Sequence, residues 1–181
     1  MTRDEQLALL NEQVKTKNLI KHCLACEAVM RGLARHFGED EDLWGTAGLM
    51  HDVDYDQTVD TPDQHTMIGA EILRANAIDE RAIHAMLAHN DKAPRESLID
   101  KALYATDPTT GMIVAAALIR PEKKLAIVDV EFVISRMKEK GFARAVNRDQ
   151  MRMCSEIGLS LEDFLGIALT SMQAISTQLG L

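Results

Sequence analysis

Aromatic side chains are scarce in this chain: four Phe, two Tyr and one Trp make up 4% of its 181 residues. Pleated sheets draw on aromatic and β-branched residues, so a core built from Leu, Ile, Ala, Val and ten Met favours helices instead. Three cysteines (Cys23, Cys26, Cys154) are too few for a disulfide framework. Four prolines and ten glycines act as punctuation between segments. No run approaches the ~20 apolar residues that cross a bilayer. Basic excess is also lacking. With 20 basic and 28 acidic side chains the net charge is −8, which repels a duplex or an anionic membrane at long range. Neither a nucleic-acid polymer nor a membrane is therefore expected as a partner. The amino terminus (Met1-Thr2-Arg3-Asp4-Glu5-Gln6) is too polar for a secretory signal, and a cytoplasmic location is expected.

What remains reads as helix after helix. Leu7, Leu10 and Val14 mark a first helix, and Leu19 to Phe37 a long second one stopped by Gly38. A third covers about Asp42 to Asp52. Thr61-Pro62-Asp63-Gln64 carries a cap, a first-turn proline and a capping-box glutamine, predicting a helix to about Ala75. Asp79 caps a helix reaching His89. Another spans roughly Glu96 to Thr106, and Pro108 opens its successor, which ends before Pro121. Asp129 to Lys140, Phe142 to Ile157 and Ser160 to about Gly180 complete the series. The expected fold is a single all-α domain over 1–181, a compact multi-helix bundle. Cys23 and Cys26 form a Cys-x-x-Cys pair inside an apolar-periodic helix, where free cysteines pack as small hydrophobes.

His51-Asp52, closing the apolar stretch Leu43 to Met50, is the most informative feature. A carboxylate beside an imidazole ends a buried segment poorly unless a cation sits between them, and both are good donors to divalent metals. Further candidates fall on helices or at their ends: His22 in an apolar stripe, His65 after the Thr61 signal, His89 closing its helix, and Asp107 at a helix C-terminus. A carboxylate there opposes the helix dipole unless a cation is near. His84 lies about 140° round the helix from His89, so it reads as an ordinary helix residue, and His36 suits a C-terminal turn.

The order His, then His-Asp, then a distant Asp resembles the HD superfamily of metal-dependent phosphohydrolases. Leu49-Met50-His51-Asp52-Val53-Asp54 is similar to the signature of its HDIG branch, His65 with Ile68 to Leu73 to the helix that follows, and Ile83 to His89 to the helix of its later histidine. The likeness covers roughly residues 18 to 110, with helices of 111–181 expected to pack on that core. It implies an HD-type bundle with a primary metal on His22, His51, Asp52 and Asp107, and a second on His65 and His89. One or two divalent ions are implied, with manganese, iron, cobalt, nickel and magnesium all suited to oxygen and imidazole donors. Two departures stand out: Asp54 and Tyr55 replace the signature glycine and the lysine that often follows. His89 is followed by Asn90-Asp91, so the double histidine-glutamate of the cyclic-dinucleotide branch is absent.

Asp52 is expected to bind metal and orient the attacking water. Asp54 (or Asp56) is a candidate proton carrier in a loop that also holds Asp60 and Asp63. That local negative charge points to a small phosphorylated metabolite or nucleotide rather than a long polyanion. Arg144, Arg148 and Arg152 recur every four residues. They form either an ion-pair face with Asp149 and Glu156, or, for Arg144 and Arg148, a clamp on the substrate phosphate. Lys92 and Arg95 are weaker candidates for that clamp. The expected activity is release of phosphate from such a substrate by metal-activated water. The alternatives are a di-iron oxygenase using the same four-histidine, two-aspartate set and a non-catalytic nucleotide-binding module.

Overall fold

The computed structural model describes residues 1–181, and every regular element is helical. They are α1 (Arg3–Gln13), α2 (Lys17–Phe37), α3 (Glu41–Met50), α4 (Tyr55–Thr58), α5 (Met67–Ala75), α6 (Glu80–His89), α7 (Leu98–Leu118), α8 (Val130–Met137), α9 (Arg148–Arg152), α10 (Leu161–Ala174) and α11 (Ser176–Leu179). Three 3₁₀ turns join them. One cluster of 42 buried apolar residues forms the core, with Leu10, Met30, Leu33, Trp44, Met50, Ile83, Met86, Leu103, Met112 and Phe164 fully buried or nearly so. The Cys-x-x-Cys cysteines are free and buried within α2.

The helix starts follow their caps. Thr2 and Glu5 form a capping box on α1, and Ser97 with Asp100 forms another on α7. Asp40 accepts from the amides of Asp42 and Leu43 at the head of α3. Gly38, at φ +70°, ends α2 in the left-handed conformation that glycine adopts without strain.

The α2–α3 pair is the foundation of the site. Gly48 faces α2 so closely that a Cβ there would sit 2.7 Å from the Cys26 carbonyl oxygen. The missing side chain lets the two backbones touch, bringing His51, at the end of α3, against His22 on α2. α10 packs on α2 as well, where a Cβ on Gly32 would meet the Ser171 hydroxyl.

Four boundaries differ from the sequence expectation, one of them at the last helix, which ends at Ala174 with Ser176–Leu179 as a separate helical turn. Residues 98–118 form one helix that runs through Pro108 rather than two helices meeting there. Proline lacks the N–H that would bond Tyr104, but Gln150 Nε2 donates to the Tyr104 carbonyl at 2.8 Å and replaces it. The helix expected to start at Pro62 starts at Met67. Thr61 makes no capping bond, and Thr66 takes φ +68°, so the chain leaves helical geometry at His65. Finally, 141–146 is a chain of turns, and only Arg148–Arg152 is α-helical in the stretch expected to form one helix from Phe142 to Ile157.

Candidate metal centre

Six side chains from five parts of the fold converge. His22 comes from the middle of α2, His51 and Asp52 from the turn after α3, His65 from the extended residue before α5, His89 from the last turn of α6, and Asp107 from α7. His22 Nε2 lies 3.1 Å from His51 Nε2 and 3.1 Å from Asp107 Oδ1. Asp52 stands between two groups of partners. Its Oδ2 is 3.4 Å from His51 Nε2 and 3.7 Å from His22 Nε2, while its Oδ1 is 3.3 Å from His65 Nε2 and 3.7 Å from His89 Nε2. One oxygen thus faces His22 and His51, which also stand beside Asp107, and the other faces His65 and His89.

The Nδ1 atoms of all four imidazoles are engaged away from the centre. His51 Nδ1 donates to the Gly48 carbonyl at 2.8 Å, and His89 Nδ1 to the Met86 carbonyl. His65 Nδ1 donates to Asp54 Oδ1 at 2.8 Å. His22 Nδ1 donates to the Thr110 hydroxyl at 2.9 Å, which in turn donates to the Asp107 carbonyl. Such bonds fix the tautomer and aim each Nε2 lone pair inward, the arrangement that metal-binding histidines require. Two facing Nε2 lone pairs at 3.1 Å repel unless a proton or a cation lies between them. A divalent ion suits this donor set.

Without an ion, protons do part of that work. Burial pushes His51 down to about 4, keeping it neutral. Burial also opposes charge on His65, but hydrogen bonds to Asp52 and Asp54 outweigh it and raise the imidazole to about 9. His22 is raised well above its ordinary value despite burial, through Cys26 and the Asp107 carboxylate. Burial works against the charge on Asp52, yet His51, His65, His89 and His22 hold its carboxyl well below the usual range. Asp107 is lowered in the same way, against its burial, chiefly by His22.

Asp54 occupies a place that the sequence did not suggest. It is fully buried, and its carboxylate accepts from His65 Nδ1 and, at 2.7 Å, from the Gly69 amide. It therefore orients His65 and caps the first turn of α5, in place of a threonine. Gly69 leaves room for it: a Cβ there would lie 3.2 Å from that carboxylate. With both oxygens occupied and no exposure, Asp54 does not reach the cavity as a proton carrier. Asp56 is tied to the Lys15 and Thr16 amides instead.

The arginines expected to clamp a phosphate lie elsewhere. Arg148 turns its guanidinium to the carbonyls of Met137, Glu139, Phe142, Ala143 and Val146, holding the 137–146 turns together. Arg144 is exposed, and neither lines the cavity over the centre. Arg95 pairs with Asp91 and lies 3.9 Å from the centre of the Tyr104 ring. His84 bonds Asp100 at 3.2 Å, outside the centre. The cavity measures about 570 Å³, and its walls carry Tyr55, Tyr104, Asn90, Asn147 and Gln150 around the histidines and aspartates. Cys26 and Thr110 were not anticipated: Cys26 Sγ is 3.8 Å from His22 Nε2, and it belongs to a second group of candidate donors with His22 and His51.

The sequence model of the HD domain matches residues 19–136, close to two thirds of the chain and all six converging residues. The chain belongs to the HD domain family. As an HD domain it is of the metal-dependent phosphohydrolase type, and its His/Asp clusters suit a divalent ion. It is similar to ribonuclease Y of Oleidesulfovibrio alaskensis (27% identical over 96 residues, 53% of this chain and 18% of the relative). Ribonuclease Y of a Sulfurovum species is 33% identical over 91 residues, 50% of this chain and 18% of that protein. Ribonuclease Y of Nitratidesulfovibrio vulgaris is 30% identical over 98 residues, 53% and 18%. The HD domain thus aligns with under a fifth of the length of these relatives. No solved structure matches.

These relatives overturn the expectation of a small phosphorylated partner with no nucleic-acid polymer, since they are named as ribonucleases. The charge argument behind that expectation also weakens. Of the loop carboxylates, Asp52 sits among four imidazoles, and Asp54 and Asp56 are tied up by hydrogen bonds. No helix is long and apolar enough to cross a membrane.

Proposed function

We propose that this HD domain cleaves phosphoester bonds of RNA with one or two divalent ions. The observation that carries the reading is the placement of Asp52, whose two oxygens face different inward-aimed imidazoles, with donor atoms of His51, Asp52 and His89 within 4.8 Å of one another. His22, His51, Asp52 and Asp107 would hold the primary ion. His65, His89 and the second oxygen of Asp52 would hold the other. Bound ions lower the pKa of a coordinated water towards ~7 and offset charge on a phosphoryl oxygen.

The chain's own residues do the positioning. Burial keeps His51 neutral, so its Nε2 lone pair is available at physiological pH. Asp54 fixes the His65 ring, and Gly48 fixes the separation of His22 and His51. Asp52, ionised at neutral pH, serves as a ligand and orients the water. RNA as the substrate class rests on the ribonuclease Y relatives.

The test is cleavage of single-stranded RNA oligonucleotides by metal-stripped protein, before and after addition of manganese, iron, cobalt, nickel or magnesium. Metal-dependent cleavage that disappears in His51→Ala and Asp107→Ala is expected. Unchanged RNA under every metal would remove the reading. The complete four-histidine, two-aspartate set also suits a di-iron oxygenase. Oxygen consumption by the iron-loaded protein, with no strand cleavage under anaerobic conditions, would favour that chemistry.

A further inference from the structure

No lysine or arginine lines the cavity over the centre. Of the basic side chains near the rim, Arg95 pairs with Asp91 and stacks on Tyr104, Arg148 binds backbone carbonyls, and Lys21 and Lys92 line other pockets. The cavity wall itself therefore offers no lysine or arginine to a substrate phosphate. Apart from Asp91, which pairs with Arg95, what the walls offer beyond the centre is neutral. Both tyrosines of the chain are there, with the side-chain amides of Asn90, Asn147 and Gln150.

These groups are held in place and only partly used. Tyr55 is 43% exposed, and its ring stands perpendicular to His65 with centroids 5.2 Å apart, so an exposed aromatic ring lies beside the centre. Tyr104 is fixed by the Arg95 guanidinium on its ring. Asn147 uses Oδ1 to cap α9, accepting from the Asp149 and Gln150 amides at 3.1 Å, which leaves its NH₂ group as a donor. Gln150 uses Nε2 on the Tyr104 carbonyl beneath Pro108, which leaves Oε1 as an acceptor. One donor and one acceptor, each anchored through its other end, suit the edge of a nucleobase. A tyrosine face is a platform for stacking one. A volume of about 570 Å³ admits a nucleotide. Asn147 and Gln150 also lie beyond residues 19–136, so they are not part of the stretch that the HD domain model matches.

We propose that this cavity selects one nucleobase beside the scissile phosphate, with Tyr55 as its stacking face and the Asn147 and Gln150 amides reading its edge. The proposal rests on the RNA reading above and adds that recognition runs through neutral groups, with phosphate held at the metal centre alone.

Calorimetry on the manganese-loaded protein tests it with phosphorothioate trinucleotides, which resist cleavage, of A, C, G and U and an abasic trimer. One base should bind about tenfold more tightly than the weakest base and than the abasic trimer. Tyr55→Leu should remove that advantage over the abasic trimer, and Tyr55→Phe should restore it. Asn147→Asp keeps an oxygen to cap α9 but replaces the NH₂ donor, so it should change the order of preference. Five trimers bound equally by the unaltered protein, or an unchanged order in Asn147→Asp, would overturn the proposal. Discrimination without cleavage of ordinary RNA would leave the base site standing and remove hydrolysis. Cleavage without discrimination would do the reverse.

Discussion

The Asp54 carboxylate and the His65 ring are joined at 2.8 Å through Oδ1 and Nδ1, and the other Asp54 oxygen holds the first turn of α5. A bond that orients the His65 ring and a helix cap therefore share one buried side chain. Asp54→Asn removes its charge and one acceptor. Metal affinity at the His65–His89 side should fall about 10–100-fold, with a smaller effect at the His22–His51 side. Manganese titration followed by calorimetry separates the two. Unchanged binding at both would show that Asp54 serves only the helix.

Arg148 gives a prediction opposite to the phosphate-clamp expectation. Its guanidinium bonds five carbonyls in 137–146, so Arg148→Ala should lower stability by about 1–3 kcal/mol while leaving KM for an RNA substrate unchanged. Thermal denaturation and steady-state kinetics on one preparation check both halves. A raised KM at unaltered stability would return Arg148 to the substrate.

Much of this was legible in the residues, and the rest was not, for definite reasons. Periodicity and caps located α2, α3, α6 and α10, because local signals there agree with the packing. The HD order, His22 then His51-Asp52 then Asp107, named a set that the fold brings together. Pro108 was misread because its missing hydrogen bond is supplied by Gln150, 46 residues from Tyr104, which no local rule detects. The Thr61-Pro62 signal was strong but lost to the demand that His65 turn inward, leaving Thr66 at φ +68°. Asp54 reads as a proton carrier in an acidic loop, because sequence gives no burial for a departure from the HDIG glycine.

Gly48 sets the spacing of His22 and His51. Gly48→Ala adds a methyl group 2.7 Å from the Cys26 carbonyl oxygen, so α2 and α3 must part. Alanine's better helix propensity offsets only about 1 kcal/mol. The variant should be destabilised by about 1–3 kcal/mol overall, with weaker metal binding. Thermal melts with and without metal provide the check. A variant as stable as the parent, binding metal equally well, would contradict the close-contact account.

The pH dependence of the metal-free protein has two limbs. His51 is depressed to about 4, so its contribution to stability is complete above ~6.5 and is lost as pH falls through about 4. His65 is raised to about 9, so its contribution is complete below ~6.5 and is lost as pH rises through about 9. From these two groups, apo stability should peak near pH ~6.5 and decline on both sides. With His65 as a ligand, as proposed, metal loading would replace its proton, so it should release protons at neutral pH and flatten the alkaline limb. Melting temperatures across pH, with and without manganese, test the shape. An apo protein stable at pH 4 and unaffected at pH 9 would refute it.

The shared carboxylate is the centre of the account, and counting ions tests it most directly. Calorimetric titration with manganese should find two ions on the unaltered protein. Asp52→Ala should abolish both, whereas Asp107→Ala should spare the His65–His89 side. Two ions retained by Asp52→Ala at unchanged affinity would contradict the claim that Asp52 joins the two halves of the centre.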